Sequence, residues 1–420
     1  MPRILLIAAT TGYQTRSFAA AARARGIDVI LATDRCHVLE DPWGDRAIAI
    51  RFEEPDKAAS ILSDIAVDGI VAVADRPTLI AALTAQKLGI PFHPPAAVAA
   101  CRDKHRMREL FAAAGLAVPR NFRVALDSDL GESPARAGYP CVLKPLGLSA
   151  SRGVIRANNS AEFIAAFERI RRILEQPEIR QFHDELDRAI QFEEYIEGRE
   201  FALEGLMTGG ELNVLAIFDK PDPLEGPFFE ETIYVTPSRE AADVQRAIVE
   251  TTRAAVRGIG LFHGPIHAEM RVKGAQIHML EVAARPIGGL CARALRFDGG
   301  MNLEELVMLH AIGKMPESLA LSPPASGVMM IPVPGAGIFE SVSGIEAARS
   351  VAGVDDIVVT AKQGQKLVPL PEGASYVGFI FATARDAASV EDSLRRAHAK
   401  LKFEILASLD VVPVTSPDML

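Results

Sequence analysis

Glu269 in GPIHAEMRV and Glu281 in QIHMLEVAARP are two carboxylates twelve residues apart, and Arg285 follows the second. Hard divalent cations take oxygen ligands and share them with substrate phosphates, and a guanidinium offers a fixed fork of donors to an oxyanion. These residue types in this order point to metal and phosphate chemistry of the kind a nucleotide drives. A surface hairpin with two solvated glutamates shows the same pair, so other motifs must decide.

Both segments read as strands, joined by the turn Lys273, Gly274, Ala275. Side chains two apart share a face of a strand, so His267, Glu269 and Arg271 project together. In an antiparallel hairpin closed near Gly274, Glu269 and Glu281 fall near opposite each other. Like charges facing across a ladder are destabilising unless something compensates, and a bound cation would do so.

A second group of residues could handle polyphosphate. Lys144 lies in CVLKP, which runs straight into a loop from Leu146 to Gly153 containing Gly147, Ser149, Ser151 and Gly153. Small residues let backbone N–H groups approach phosphate oxygens, and hydroxyls add donors. Such a loop is also a common hairpin connection. Lys144 beside it acts as a point charge on phosphate, and Lys104 in RDKHRMREL is a candidate second cation, although an exposed helix lysine looks alike. In FEEYIEGREF, which holds Glu193, the backbone of Glu194 and Ile196 could hold an adenine and Glu200 could accept from ribose hydroxyls. An edge strand with its glutamates in water is the competing account.

These groups need a scaffold, and 420 residues with 49% hydrophobic content suffice for two to four cores. The net charge of -9 argues against a broad basic face for nucleic acid. Arg169 to Arg172 in FERIRRILEQ read as a solvated helix face. Cys36, Cys101, Cys141 and Cys291 form no CxxC pair and suit reduced core thiols in the cytoplasm. The apolar run at the N-terminus is too short for a signal segment, and no stretch reaches the roughly 18 apolar residues of a membrane span.

Residues 1–93 alternate strand-like and helix-like runs, as a parallel sheet with crossover helices requires. Thr10, Thr11 and Gly12 follow the first strand, but GxGxxG is absent, which argues against a dinucleotide site. One helix is expected from Ala96 to Gly115, another over residues 160–176 with Ser160 as its cap, a meander over 189–220, and a long helix from Ser238 to Gly258. A linker near Ser322, Pro323 and Pro324 separates a small α+β tail over 321–420, with frayed residues from Pro413.

Taken in order, Lys104, Lys144 with its Gly/Ser loop, Glu193 to Ile196 with Glu200, and then Glu269, Glu281 and Arg285 resemble the ATP-grasp superfamily over nearly the whole chain. The closest likeness is to its carboxylate-amine ligases, particularly L-amino acid ligases, whose last motif resembles Glu281 to Gly289. The resemblance implies a multi-domain α/β and α+β chain. Its parts are an N-terminal parallel-sheet, Rossmann-like domain over 1–93, an ATP-grasp domain over 94–320 with a lid at about 118–196 and a core at about 197–320, and a C-terminal α+β domain over 321–420. It implies ATP and Mg2+, with Mn2+ as a substitute ion. Lys104 and Lys144 would meet phosphates, Glu194 and Ile196 the adenine, Glu200 the ribose, and Glu269 and Glu281 the metal. Arg285 would hold the substrate carboxylate and stabilise the tetrahedral intermediate. Many relatives carry Asn where this chain has Ala283, which removes one candidate metal ligand.

The implied reaction joins a small-molecule carboxylate to an amine through an acyl phosphate, with no nucleic acid or membrane partner and with a homodimer as the default assembly. Asp75, Arg76, His267, Gly288, Gly289, Arg293 and the loop Glu225 to Glu231 are candidates for the substrate end. A purine-pathway-like ligase or carboxylase would need further cations such as Arg16, Arg35 or Arg76, and a non-catalytic nucleotide-binding module is the reading from another class.

Overall fold

Four short strands, β1 (Arg3–Ala8), β2 (Asp28–Thr33), β3 (Ile48–Ala49) and β4 (Gly69–Val73), form a parallel sheet in the order β3-β2-β1-β4. Its strands are nearly all apolar because helices cover them, as parallel sheets require. The chain is seen in a computed structural model that describes residues 1–9, 12–34, 47–322 and 324–407. Thr10, Thr11, Arg35, Cys36, Pro323 and the segment from Pro413 lie outside the described residues.

Helix Pro95–Arg102 and helix Lys104–Ala113 replace the single helix expected there. Asp103 causes the break: its backbone is extended, and its side chain accepts from the amides of His105 and Arg106. That cap sets Lys104 at the first position of a new helix, turned toward the interior.

The lid sheet holds β5 (Asn121–Ala125), β6 (Cys141–Pro145), β7 (Ile155–Ala157) and β8 (Ala189–Glu194) in the order β5-β8-β6-β7. Helix Ser160–Leu174 covers it, capped by Asn159 and not by Ser160, because the Asn159 side chain accepts from the Glu162 amide. Phe163, Phe167 and Phe192 belong to a hydrophobic cluster confined to this unit. The expected meander divides here, since β8 pairs with β5 and β6, while only β9 (Arg199–Thr208) and β10 (Glu211–Lys220) form a hairpin.

β9 and β10 enter an eight-stranded sheet with β11 (Ile233–Thr236), β12 (Gly264–Lys273), β13 (Gln276–Ala283), β14 (Ala325–Ile331), β16 (Val354–Val359) and β18 (Gly378–Ala384). The order is β13-β12-β9-β10-β11-β14-β18-β16, so the sheet runs without interruption past the Pro-rich segment into the C-terminal region. A three-stranded sheet of β15 (Gly337–Ser343), β17 (Lys366–Leu367) and β19 (Lys402–Leu406) completes the tail. Helix Ala242–Ile259 starts later than expected and packs Ile248, Ala255 and Val256 into the core. Among the described residues no helix is long and apolar enough to cross a membrane.

Candidate active site

Three neighbouring strands carry charged residues at alternate positions, which places them on one face. Across β9 and β12 the register sets Glu204 beside His267, Ala202 beside Glu269 and Glu200 beside Arg271. Lys220 at the end of β10 pairs with Glu200. On β13, Glu281 is directly opposite Glu269.

That last pairing depends on a bulge. From Lys273↔Gln276 to Met270↔Met279 the hairpin is regular, and then Glu269 pairs with Glu281, leaving Leu280 as an extra residue. Without it Glu269 would face Leu280, and Glu281 would turn to the other side of the sheet. The Leu280 carbonyl freed by the bulge accepts from Arg108 at 2.7 Å.

Above this floor lies a cavity of about 160 Å³. Lys104, Lys144, Ser149, Ser151, Glu193, Glu194, Ile196, Glu200, His267, Glu269, Glu281 and Arg285 all line it, brought together from helix Lys104–Ala113, the lid and the large sheet. Lys104 Nζ donates to the Leu148 carbonyl at 2.7 Å, drawing the loop down, and lies 3.8 Å from Glu281. Lys144 is paired with Glu193, which Arg108 also contacts at 2.7 Å. Burial lowers the Lys144 pKa to about 8 against the pull of Glu193. Burial opposes the charge on Glu193, yet Arg108 and Lys144 hold it down at about 2. The Glu193 carboxylate is therefore engaged in seating Lys144.

Both oxygens of Glu200 already accept a charged donor, Lys220 at 2.9 Å and Arg271 at 2.9 Å. Lone pairs remain on each. Glu269 receives Lys220 at 3.3 Å, His267 at 3.3 Å and the Tyr234 hydroxyl at 3.5 Å, all on Oε1. Burial works against its charge, but Lys220 and His267 keep its pKa well below the usual carboxylate range. His267 in turn sits 3.0 Å from Glu204; burial disfavours its proton, while Glu204 and Glu269 raise its pKa to about 9. Its ring lies between two acids, Glu204 and Glu269.

Arg285 is held by Asp75 in a two-point ion pair of 2.8 and 3.0 Å, and its Nη1 donates to the Pro286 carbonyl. Of its five N–H donors, two are left for a ligand. Asp75 opens helix Asp75–Leu88 beyond β4, after Ala74 at the strained φ of 74°.

Several candidates lie elsewhere. Gly147 packs on Leu186, and the Gly153 amide donates to the Pro371 carbonyl at 2.9 Å, so neither backbone lines the cavity. Arg76 stacks on Phe182 at 3.5 Å, and Arg293 pairs with Asp356 at 2.8 Å over the Phe381 ring. Gly288 and Gly289 are also outside the lining; a side chain on Gly289 would meet Phe379. Arg169 is partly exposed, as on a solvated helix face, and also forms a two-point pair with Glu372 at 2.6 and 2.9 Å. Sequence reasoning missed Arg108, Lys220, Glu204 and Tyr234. The alternation of Glu200, Ala202 and Glu204, and a lysine ending the apolar strand LNVLAIFDK, were the available signals.

Residues 137–294 match the ATP-grasp domain, 18–92 the ATP-grasp N-terminal domain, and 329–406 the L-amino acid ligase C-terminal domain 2. The chain is 27% identical over 325 residues to an alanine--anticapsin ligase of Bacillus amyloliquefaciens, covering 70% of this chain and 66% of that one. It is 26% identical over 275 residues to the Bacillus subtilis enzyme of the same name, covering 61% and 56%. The chain thus spans just under two thirds or less of the length of these relatives. An L-amino acid ligase from Bacillus licheniformis has the same fold, with a TM-score of 0.81 at 24% identity over 97% of this chain and 99% of that one.

Proposed function

The chain belongs to the ATP-grasp superfamily and matches the C-terminal domain 2 of L-amino acid ligases, and from that premise we propose that it is an ATP-dependent carboxylate-amine ligase. The substrate carboxylate, of amino acid size, takes the γ-phosphoryl group of ATP to give an acyl phosphate and ADP. The amine nitrogen then attacks the acyl carbon, the C–O bond to phosphate breaks, and the nitrogen gives up a proton. Carboxylates are poor electrophiles, and the acyl phosphate supplies the leaving group.

The observation that carries this reading is the convergence of Lys104, Lys144, Glu269, Glu281 and Arg285 on one cavity. Glu269 and Glu281 suit Mg2+, with Mn2+ as substitute: they are paired carboxylates, and among the described residues the polar contacts to Glu269 fall on one oxygen, leaving the other for an ion. When bound, that ion neutralises phosphate charge during transfer. Lys104 and Lys144 hold the polyphosphate, and the two unspent donors of Arg285 grip the carboxylate and then the developing oxyanion. The loop Leu146–Gly153, drawn onto Lys104, keeps water from the acyl phosphate.

The buried free thiols Cys101, Cys141 and Cys291 favour a reducing cytoplasm, and a homodimer is the assembly to test by sedimentation. Phosphate release measured across panels of amino acids tests the chemistry. ATP turnover that needs both a carboxylate and an amine, with an amide product, is expected. Nucleotide binding without turnover on any pair would leave a binding module instead.

A further inference from the structure

Lys220 is 3% exposed and reaches three carboxylates at once: Glu200 at 2.9 Å, Glu231, and Glu269 at 3.3 Å. An ammonium has three N–H donors; Lys220 donates to Glu200 and Glu231, and Glu269 lies within ion-pair distance. The three acids offer oxygens that all lie within 4.8 Å of one another, a spacing at which they could hold a metal ion. Glu200 is buried and Glu231 and Glu269 are half-buried, and carboxylates this close repel unless a cation lies between them.

The neighbours of the trio fix it from outside. Arg271 takes the second oxygen of Glu200 at 2.9 Å, and the Tyr234 hydroxyl donates to the second oxygen of Glu231 at 2.9 Å. Lys220 also lies 5.0 Å from the centre of the Tyr234 ring. On Glu269, Lys220 and His267 both contact Oε1, and Glu281 is the residue that faces Glu269 across the hairpin.

We propose that Lys220 is a positioning residue: its ammonium fills the place where Glu200, Glu231 and Glu269 would otherwise collect a cation of their own, and it turns Glu269 so that a single oxygen is offered to the metal. This rests on the reading of Glu269 as a metal ligand. Partners that orient a ligating group from behind typically change metal affinity by 10–100-fold when removed. A flexible lysine suits the task because its three donors point in separate directions, whereas a planar guanidinium does not reproduce that pattern.

The test is Mn2+ binding followed by electron paramagnetic resonance, with and without ADP and with no turnover. In Lys220→Met, one additional Mn2+ per chain is expected without nucleotide, and the ADP-dependent ion should bind about tenfold more weakly. In Lys220→Arg, which keeps the charge and guards against a misfolded Met variant, the stoichiometry of the parent should persist while the ADP-dependent affinity falls about tenfold. Parent-like stoichiometry and affinity in a folded Lys220→Met, or parent-like affinity in Lys220→Arg, overturns the inference and leaves the functional reading standing. A parent protein that takes up no Mn2+ with ADP overturns both.

Discussion

In the proposed reaction Arg285 grips the substrate carboxylate, and its two-point pair with Asp75 together with the Pro286 carbonyl leaves the guanidinium two donors. Removing a donor aimed at a developing oxyanion typically costs about 3 kcal/mol in the barrier. Arg285→Ala should therefore lower kcat by at least about 100-fold while the circular dichroism spectrum stays that of the parent. Asp75→Asn keeps the shape and loses the charge; the expected result is a KM for the carboxylate substrate raised about tenfold with kcat less affected. Lys144 makes a pH prediction whose sign follows from its burial. With a pKa lowered to about 8, it is an ammonium at neutral pH and loses that charge as the pH rises through about 8. Since an anionic nucleotide favours the charged form, ADP affinity by calorimetry should be full below that pH and decline above it. Lys144→Arg should flatten the profile, because arginine stays charged.

The hairpin β12–β13 shows how far sequence reasoning reaches at the scale of an element. Alternation in GPIHAEMRV and the turn at Gly274, whose φ is +61°, make both strands legible. The facing of Glu269 and Glu281 was legible only as proximity, because strict alternation puts them on opposite faces and the Leu280 bulge reverses that. A bulge leaves no mark on period-2 patterning, and what stabilises this one, Arg108, is distant in the chain. Arg108 is 1% exposed and also contacts Glu193. Arg108→Met should cost about 3 kcal/mol in urea unfolding, since it takes one of two cations from a buried carboxylate, and should weaken ADP binding by drawing the Lys144 ammonium onto Glu193. A stability equal to that of the parent would remove Arg108 from this role. The break at Asp103 was equally hidden, because AAVAACRDKHRMRELFAAAG reads as one helix until the cap geometry is seen.

At the scale of the molecule, one cluster of apolar residues joins the first sheet to the large one, Phe18 and Val71 packing with Phe218 and Phe379, while the lid keeps a cluster of its own. The lid unit is clasped from two sides. On one, Phe182 lies under Arg76 and Asp184 pairs with Arg102 at 2.6 Å. On the other, Arg169 meets Glu372 and the Gly153 amide meets the Pro371 carbonyl, contacts to a segment that lies some two hundred residues away in sequence and was read only as a separate tail. Partly exposed pairs of this kind contribute about 0.5–1 kcal/mol. Glu372→Arg should speed ADP release about threefold in stopped-flow measurements, and the exchanged pair Arg169→Glu with Glu372→Arg should restore it. Equal release rates in all three proteins would show that the clasp does not hold the lid.

The proposed reaction activates a carboxylate by phosphoryl transfer within this cavity. Turnover of a carboxylate substrate labelled with 18O in both oxygens, followed by mass analysis of the released phosphate, tests it most directly. One labelled oxygen per phosphate, with ADP as the other product, is predicted, because the C–O bond that breaks belongs to the original carboxylate. Unlabelled phosphate accompanying amide formation would contradict the account.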